Sequence, residues 1–373
     1  AKFDLFGSIY EEFASQTKKK EFGEFYTRRH ITGLISRILL RNENNPRNLK
    51  ICDPACGTGG FFLGALEYLE KQPNLSKEDR KFIKFDAFHG WEIEKSTARL
   101  CLMNLYLHGI GDLKQTPDIH VTDSLKIRDN DIHNFDIILA NPPFGKSSSD
   151  IPTNDEKQSQ KDGYFFRKKF WVTTSNKQLA FLQHIVEILN KETGRAAIVL
   201  PDNVLFEGGA GEIIRKKLLE EVNLHTILRL PTGIFYAQGV KSNVLFFDMK
   251  KKTKQHGTKD IWIYDYRTNI RHTPKKNPLK FENLSDFVKC YNTTDISKRK
   301  ETYSESNPNG RWRKYTYEYI LSRDKTNLDI SWIRDNSVID LDNLPDPDEL
   351  VNEIIDNIES ALQSFKSIRD NLS

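Results

Sequence analysis

One stretch decides the fold, Phe135-Asp136-Ile137-Ile138-Leu139-Ala140-Asn141-Pro142-Pro143-Phe144. Its apolar first half predicts a buried strand, and the two prolines that follow have a fixed φ and no amide proton. The bend therefore presents the carbonyl oxygens of Asn141 and Pro142, beside the Asn141 side chain, as acceptors beyond the strand. Such a cluster suits a planar amino group that must lose a proton as it is alkylated. Phe144 supplies a flat surface on which the ring bearing that amine can stack.

Strand and helix patterns alternate on both sides of this stretch, which predicts an α/β fold. Strands are predicted at residues 49–52, 87–91, 118–121, 135–140, 196–200, 226–230, 244–249 and 261–266. Helices are predicted at residues 3–15, 31–39, 61–72, 94–108, 178–191 and 209–221. This alternation is typical of a mostly parallel sheet covered by helices on both faces. We expect seven or eight strands, with a hairpin at one edge because the last predicted strands are close in sequence.

Length and composition limit the class of protein. The 373 residues, 38% of them hydrophobic, are enough for one large α/β domain with smaller appendages. The formal charge of +4 does not by itself indicate nucleic acid, and there is no long apolar run that would predict a membrane span. The four cysteines lack zinc-ribbon spacing, so we expect no metal and a reduced, cytoplasmic chain.

A glycine turn, Asp53-Pro54-Ala55-Cys56-Gly57-Thr58-Gly59, follows the first predicted strand and opens a helix. Glycines let the backbone approach a ligand closely, and a helix amino terminus favours negative charge. In dinucleotide folds this position binds pyrophosphate. The Asp53 carboxylate would repel a phosphate but could pair with the ammonium of an amino acid. The turn therefore suits S-adenosylmethionine better than NAD.

Two further acids follow predicted strands. Glu92 lies at the end of the second strand, where a carboxylate can accept hydrogen bonds from both hydroxyls of a ribose; the alternative is a solvated acid that caps the next helix. Asp123 follows the third strand and could accept a hydrogen bond from an adenine amino group, although Asp-Ser is also a common turn. Phe235 is either a second wall of a base pocket, opposite Phe144, or a core side chain beneath a turn.

Together these motifs resemble the modification (M) subunit of type I restriction-modification systems, a gamma-class adenine-specific DNA methyltransferase. The resemblance covers roughly residues 3–250 and rests on motifs that occur in one order: Gly23-Glu-Phe-Tyr-Thr, Asp53-Pro-Ala-Cys-Gly-Thr-Gly, Gly90-Trp-Glu, Asp123-Ser-Leu, Asn141-Pro-Pro-Phe, Gly194-Arg-Ala-Ala-Ile-Val-Leu-Pro, Ile214-Arg-Lys-Lys-Leu-Leu and Leu230-Pro-Thr-Gly-Ile-Phe. The family commonly has proline after the Tyr-Thr pair, where this chain has Arg28.

The resemblance implies a Rossmann-like methyltransferase fold and transfer of a methyl group from S-adenosylmethionine to the N6 amino group of adenine in double-stranded DNA. It implies a separate specificity subunit as partner and, in the complete system, a restriction subunit. The cofactor residues that it implies are Tyr26, Thr27, Asp53, Ala55, Cys56, Gly57, Thr58, Gly59, Glu92 and Asp123. The catalytic residues are Asn141, Pro142, Pro143 and Phe144, with Phe144 and Phe235 stacking on the target base.

The domain organisation follows from these motifs. We expect an N-terminal helical segment with a cofactor-loop motif at 1–40, the methyltransferase domain at 41–270, an irregular extension at 271–344 and a helix at 345–373. In that last helix the apolar residues recur every three or four positions, typical of a short coiled-coil seam: Val351, Ile355, Ile358, Leu362 and Phe365. The seam is a candidate contact with the specificity subunit; the alternative is an amphipathic helix that folds back on the body.

Three other functions fit parts of the pattern. An RNA adenine methyltransferase would place the adenine amine before the same acceptors, and a protein glutamine methyltransferase would place an amide nitrogen there. A non-catalytic DNA-clamping or assembly subunit is the alternative from another class. The intact cofactor acids and the intact Asn141–Phe144 bend favour catalysis.

Overall fold

The computed structural model describes residues 29–41, 49–127, 134–147, 151–232, 234, 241–249, 256–272, 277 and 279–335, together with positions 351, 355 and 358. The predicted residues Tyr26, Thr27 and Phe235, the helix predicted at 3–15 and most of the segment 345–373 lie outside these residues.

The described residues form one nine-stranded sheet and one two-stranded sheet. In chain order the strands are β1 Ile51–Asp53, β2 Phe88–Trp91, β3 Asp118–His120, β4 Ile137–Ala140, β5 Pro152–Thr153, β6 Phe165–Phe166, β7 Arg195–Pro201, β8 Val222–Leu230, β9 Ser242–Met249, β10 Asp260–Asp265 and β11 Trp312–Thr316. The large sheet has the order β11-β10-β8-β9-β7-β4-β1-β2-β3, and β5 pairs with β6 separately. The strands are parallel from β7 through β4 and β1 to β2 and β3, so the predicted mostly parallel α/β sheet is confirmed.

Helices cover both faces of the large sheet. The helices of the described residues are α1 Arg29–Leu39, α2 Gly60–Glu70, α3 Lys77–Phe85, α4 Lys95–Leu107, α5 Glu156–Asp162, α6 Lys177–Ile188, α7 Asn203–Phe206, α8 Ala210–Glu221, α9 Ser285–Tyr291 and α10 Tyr317–Ser322. Of these, α5 lies against β5 and β6 of the small sheet and not against the large one. Alternate strand residues point to opposite faces, so Ile137 packs with α1 and α2 while Ile138 packs with α6 and α8. The central strands are buried on both faces, which explains why they read as continuous apolar runs.

The predicted edge hairpin is wrong. The strand β9 lies inside the sheet, antiparallel to both β7 and β8, whereas β10 runs parallel to β8. Most of β9 is buried, and a strand with two apolar faces gains more by pairing on both sides than by lying at an edge.

The predicted strand count and the predicted irregular segment at 271–344 also need correction. That segment contains α9, α10 and β11, and β11 pairs antiparallel with β10 as the ninth strand of the large sheet. Within β11, Trp312 and Tyr315 are buried while Lys314 is exposed. Charged side chains are common on edge strands because they discourage pairing with other chains, and here they hide the alternation that would have predicted the strand.

The topology brings the carboxyl ends of several strands to one edge. The strand β1 lies between β4 and β2, with Ile51 opposite both Ile137 and Phe88. In open α/β sheets, ligands bind beyond the carboxyl ends of the strands. In the portion of the chain that the structure describes, no helix combines the length and apolar character that crossing a membrane requires.

Candidate active site

The glycine turn begins where β1 ends. The Asp53 carboxylate accepts a hydrogen bond from the Ala55 amide at 3.0 Å, which folds the chain back toward the strand. Gly59 has a φ of 84°, a left-handed conformation that favours glycine, and it directly precedes α2. A Cβ built on Gly59 would lie 3.0 Å from the Sγ atom of Cys101 on α4. Both conformation and packing therefore require glycine at this position.

Glu92 joins the end of β2 to the glycine turn. Its carboxylate accepts hydrogen bonds from the Gly57 amide at 3.0 Å and from the Glu94 amide at 2.8 Å, and the side chain is buried. The alternative that Glu92 is a solvated helix cap is wrong, because Glu94 caps α4 by accepting a hydrogen bond from the Ser96 amide. The structure thus brings two of the predicted cofactor motifs into direct contact.

Burial dominates the electrostatics of this turn. Loss of solvent raises the pKa of the Asp53 carboxyl to about 8; the hydrogen bond from Ala55 opposes this rise and the nearby Glu92 adds to it. Asp53 is 1% exposed, so a cationic group placed beside it would replace the missing solvation. A strongly shifted carboxyl in a cleft is typical of functional sites.

Asp123 lies on the loop that follows β3. It is partly buried, and its carboxylate accepts a hydrogen bond from the Leu125 amide at 3.0 Å, at the start of the short 3₁₀ turn Ser124–Lys126. The Asp-Ser turn that the sequence suggested is therefore present.

The Asn141–Phe144 bend begins where β4 ends. Pro142 is buried, while Asn141, Pro143 and Phe144 are partly buried. Neighbouring strands lie about 4.8 Å apart, and β4 pairs directly with β1. The bend and the Asp53 turn thus open at the same edge of the sheet, on adjacent strands.

Comparison with protein families shows which family this chain belongs to. A family model described as N-6 DNA methylase matches residues 1–325. The chain belongs to this family. The match spans the glycine turn, the Glu92 position and the Asn141 bend.

Individual relatives show where in this family the chain belongs. The methylase subunit of the type I restriction enzyme StySJI from Salmonella typhimurium and that of EcoKI from Escherichia coli are each 38% identical to this chain, over 98% of the chain and 72% of the relative. The crystal structure of the EcoKI M protein matches with a TM-score of 0.71 and 36% identity, over 94% of this chain and 74% of that one. The chain is thus a type I methylase-subunit relative, and the predicted family is confirmed.

The residues of this N-6 DNA methylase fit an amino-acid nucleoside such as S-adenosylmethionine. A Cβ built on Gly57 would meet no atom of the described residues within 4 Å, so none of these residues covers the turn at this point. The buried Oγ1 atom of Thr58 has no hydrogen-bond partner among the described residues. An open backbone and an unsatisfied hydroxyl beside acidic groups are features that a polar, cationic ligand would satisfy.

Sequence reasoning missed two residues that shape this site. Asn104 on α4 is fully buried and donates a hydrogen bond to the Thr58 carbonyl at 3.0 Å, so it fixes the glycine turn from below. Its signal was a polar side chain on the apolar face of a predicted helix. Ile93 follows Glu92 and is 65% exposed, which leaves an apolar surface next to the buried acid. Its signal in the sequence was an isoleucine between two acids, Glu92 and Glu94.

Proposed function

We propose that this chain transfers a methyl group from S-adenosylmethionine to the N6 amino group of adenine in duplex DNA, as the modification subunit that works with a separate specificity subunit. Membership of the N-6 DNA methylase family supports the reaction. The single observation that carries the site is the pairing of β1 with β4, because it sets the Asp53 turn beside the Asn141 bend.

The bend supplies the chemistry at the target base. A base inside a duplex is out of reach, so the adenine must rotate out of the stack. The Asn141 amide oxygen and the Pro142 carbonyl would accept hydrogen bonds from its exocyclic amine and direct the lone pair away from the ring. Phe144 would stack on the base, and Phe235 would form the opposite wall. Positioning and exclusion of water would provide most of the rate enhancement.

The glycine-turn side of the site would hold the cofactor. When bound, S-adenosylmethionine supplies an electrophilic methyl group. We assign the Asp53 carboxylate to its ammonium, Glu92 to the ribose hydroxyls and Asp123 to the adenine amine. Ala55, Cys56, Gly57, Thr58 and Gly59 would line the turn, and the resemblance adds Tyr26 and Thr27.

A direct assay tests this function. The chain, purified with its specificity subunit, should transfer labelled methyl groups to duplex DNA, and digestion of the product should release N6-methyladenine. An RNA adenine methyltransferase would instead label RNA, and a glutamine methyltransferase would label a protein substrate. A non-catalytic DNA-clamping subunit would bind DNA and label none of the three. Any of these results would reject the proposal.

Cofactor affinity should depend on pH through Asp53. Burial raises the pKa of this carboxyl to about 8, above the value of about 3.9 for an unfolded chain, so the ligand-free protein keeps the proton at neutral pH. A bound ammonium favours the carboxylate, and binding must therefore release that proton below pH 8. We expect affinity to rise by up to about tenfold per pH unit from pH 6 to 8 and then to level off.

Calorimetry at several pH values, in buffers of different ionisation heat, measures both the affinity and the released proton. The Asp53→Asn variant is the matched control, because it keeps the shape and cannot titrate. It should bind the cofactor more weakly and lose the pH dependence. A wild-type affinity that stays flat from pH 6 to 8 would contradict the assignment of Asp53.

Deletion of residues 345–373 should abolish association with the specificity subunit. The described positions Val351, Ile355 and Ile358 are 53%, 47% and 61% exposed and share one helix face. The family match ends at residue 325, so the deletion removes none of the matched residues. Co-purification with the specificity subunit measures the effect, and cofactor affinity of the shortened chain serves as the control. Undiminished co-purification would rule out this contact.

The remaining partners and the location follow from the proposed role. A modification subunit acts where the chromosome is, so we place the chain in the cytoplasm with DNA and the specificity subunit. A restriction subunit would join the same assembly. Size-exclusion chromatography of the assembly, with and without added restriction subunit, would detect that association.

A further inference from the structure

The segment 151–177, here called the insertion, is hydrogen-bonded to the residues that follow the Asn141–Phe144 bend. The amide of Lys177 donates to the Gly145 carbonyl at 3.0 Å, and the amide of Ser147 donates to the Ser175 carbonyl at 2.7 Å. These bonds fasten the end of the insertion to the residues that follow Phe144. The insertion therefore lies at the edge of the sheet where the proposed reaction takes place.

A buried arginine fixes the insertion to the body of the domain. Arg167 is 2% exposed, donates hydrogen bonds to the Leu125 carbonyl and to Glu187, and lies with its guanidinium carbon 4.8 Å from the centre of the Phe170 ring. Leu125 belongs to the loop of Asp123. The insertion is thus held against a proposed cofactor loop by charge and hydrogen bonds.

An apolar cluster extends this attachment to the glycine turn. Phe170 packs with Leu125, Ala180 and Phe181, and Ala55 of the glycine turn packs against the same cluster. The insertion therefore shares one apolar cluster with both proposed cofactor loops. Its outer surface has a fixed position relative to the reactive end of the site.

Two adjacent lysines make one part of that outer surface basic. Lys168 and Lys169 are both exposed, and they must face outward because Arg167 before them and Phe170 after them face inward. The helix α5 adds no net charge to this surface, because its exposed lysines, Lys157 and Lys161, are balanced by the exposed acids Glu156 and Asp162. Lysines on a rigid surface can meet phosphates without further ordering of the backbone, which lowers the cost of binding.

We propose that the insertion is a duplex-DNA contact surface, in which Lys168 and Lys169 bind backbone phosphates next to the adenine that enters the site. The proposal rests on the proposed function, since it places the DNA at the same edge of the sheet. Phosphate contacts fix the register and orientation of a protein on the duplex without reading sequence. This role suits a chain whose target sequence would be chosen by another subunit.

The salt dependence of DNA affinity tests the proposal. We would measure the Kd for a duplex over a range of salt concentrations, using the chain assembled with its specificity subunit, for wild type and for the double variant Lys168→Ala/Lys169→Ala. Each phosphate contact adds about 0.9 to the slope of log Kd against log salt concentration. We expect the double variant to bind more weakly, with a slope lower by about 2 for each copy of the chain.

A matched control comes from α8. Lys216 and Lys217 are also adjacent and exposed, but they pair with Glu212 and Glu220 on their own helix. The variant Lys216→Ala/Lys217→Ala removes the same charge and should keep the wild-type slope. Thermal unfolding midpoints of all three proteins check that they are folded.

Two results would overturn the inference: an unchanged slope in the Lys168/Lys169 variant, or an equal loss in the Lys216/Lys217 control. The function itself is judged separately, by whether the wild-type assembly methylates DNA. A lysine-dependent slope without any methyl transfer would reject the proposed reaction and keep the contact surface. Normal methyl transfer with a slope that does not depend on these lysines would keep the proposed reaction and reject the contact surface.

Discussion

The Asn141→Asp variant should lose methyl transfer by about 10³-fold in kcat, the scale seen when a single well-placed polar contact is removed from an active site. The substitution keeps the shape of the side chain but replaces the NH₂ donor and adds a negative charge. A partly buried position solvates that charge poorly, and the side chain no longer has the NH₂ group that distinguishes its donor end from its acceptor end. Positioning of the amine would fail.

Single-turnover transfer of a labelled methyl group, with the specificity subunit and substrate DNA present, measures this loss. Cofactor affinity should remain within a few-fold of wild type, because the assigned cofactor groups lie on β1, β2 and the β3 loop. Asn74→Asp is the matched control: Asn74 is exposed with a φ of 64°, a conformation that aspartate also tolerates. Wild-type turnover in Asn141→Asp would contradict the role of the amide.

The Arg167→Leu variant should lower the free energy of unfolding by about 3–5 kcal/mol, because breaking a buried ion pair leaves one charge uncompensated. The side chains of Arg167 and Glu187 are each 2% exposed. Burial and the neighbouring Arg167 hold the pKa of His184 well below its usual value in the wild-type protein, so there this histidine adds no second positive charge to the pair. Chemical denaturation of the purified chain measures the change.

A second substitution separates charge from packing. The double variant Arg167→Leu/Glu187→Leu removes both charges, and apolar replacement of a whole buried pair is often close to neutral. It should therefore be more stable than Arg167→Leu alone, while the lost hydrogen bond to the Leu125 carbonyl still loosens the Asp123 loop. Equal stability of Arg167→Leu and wild type would show that the insertion is not held by this pair.

The parts of the fold that the sequence predicted share one physical property. Buried parallel strands are short apolar runs, and β1 and β4 each end abruptly at a polar turn, so Asp53 and Asn141 could be placed at strand ends before their neighbours were known. Glu92 could be placed in the same way, one residue beyond β2. These features are local, and local features can be read from the order of residues alone.

The features that were missed depend on partners distant in sequence. The apolar pattern of β9 is equally compatible with an edge or an interior position, and its place between β7 and β8 depends on which strands have free edges. In Arg167-Lys168-Lys169 nothing local tells which basic residue turns inward; the choice is made by Glu187, twenty residues later. The helix α3 was absent from the predicted helices although it has a local signal, the reciprocal cap between Ser76 and Asp79.

The two hydrogen bonds to the Glu92 carboxylate have a consequence for how a ligand would enter. They hold the β2 end, the glycine turn and the start of α4 together in the ligand-free chain. This part of the site therefore has its shape before a ligand binds. Little backbone freedom then remains to be lost on association, and preorganised sites bind with a smaller entropic penalty. Capture should accordingly be a fast, single-phase event, without a slow rearrangement that follows it.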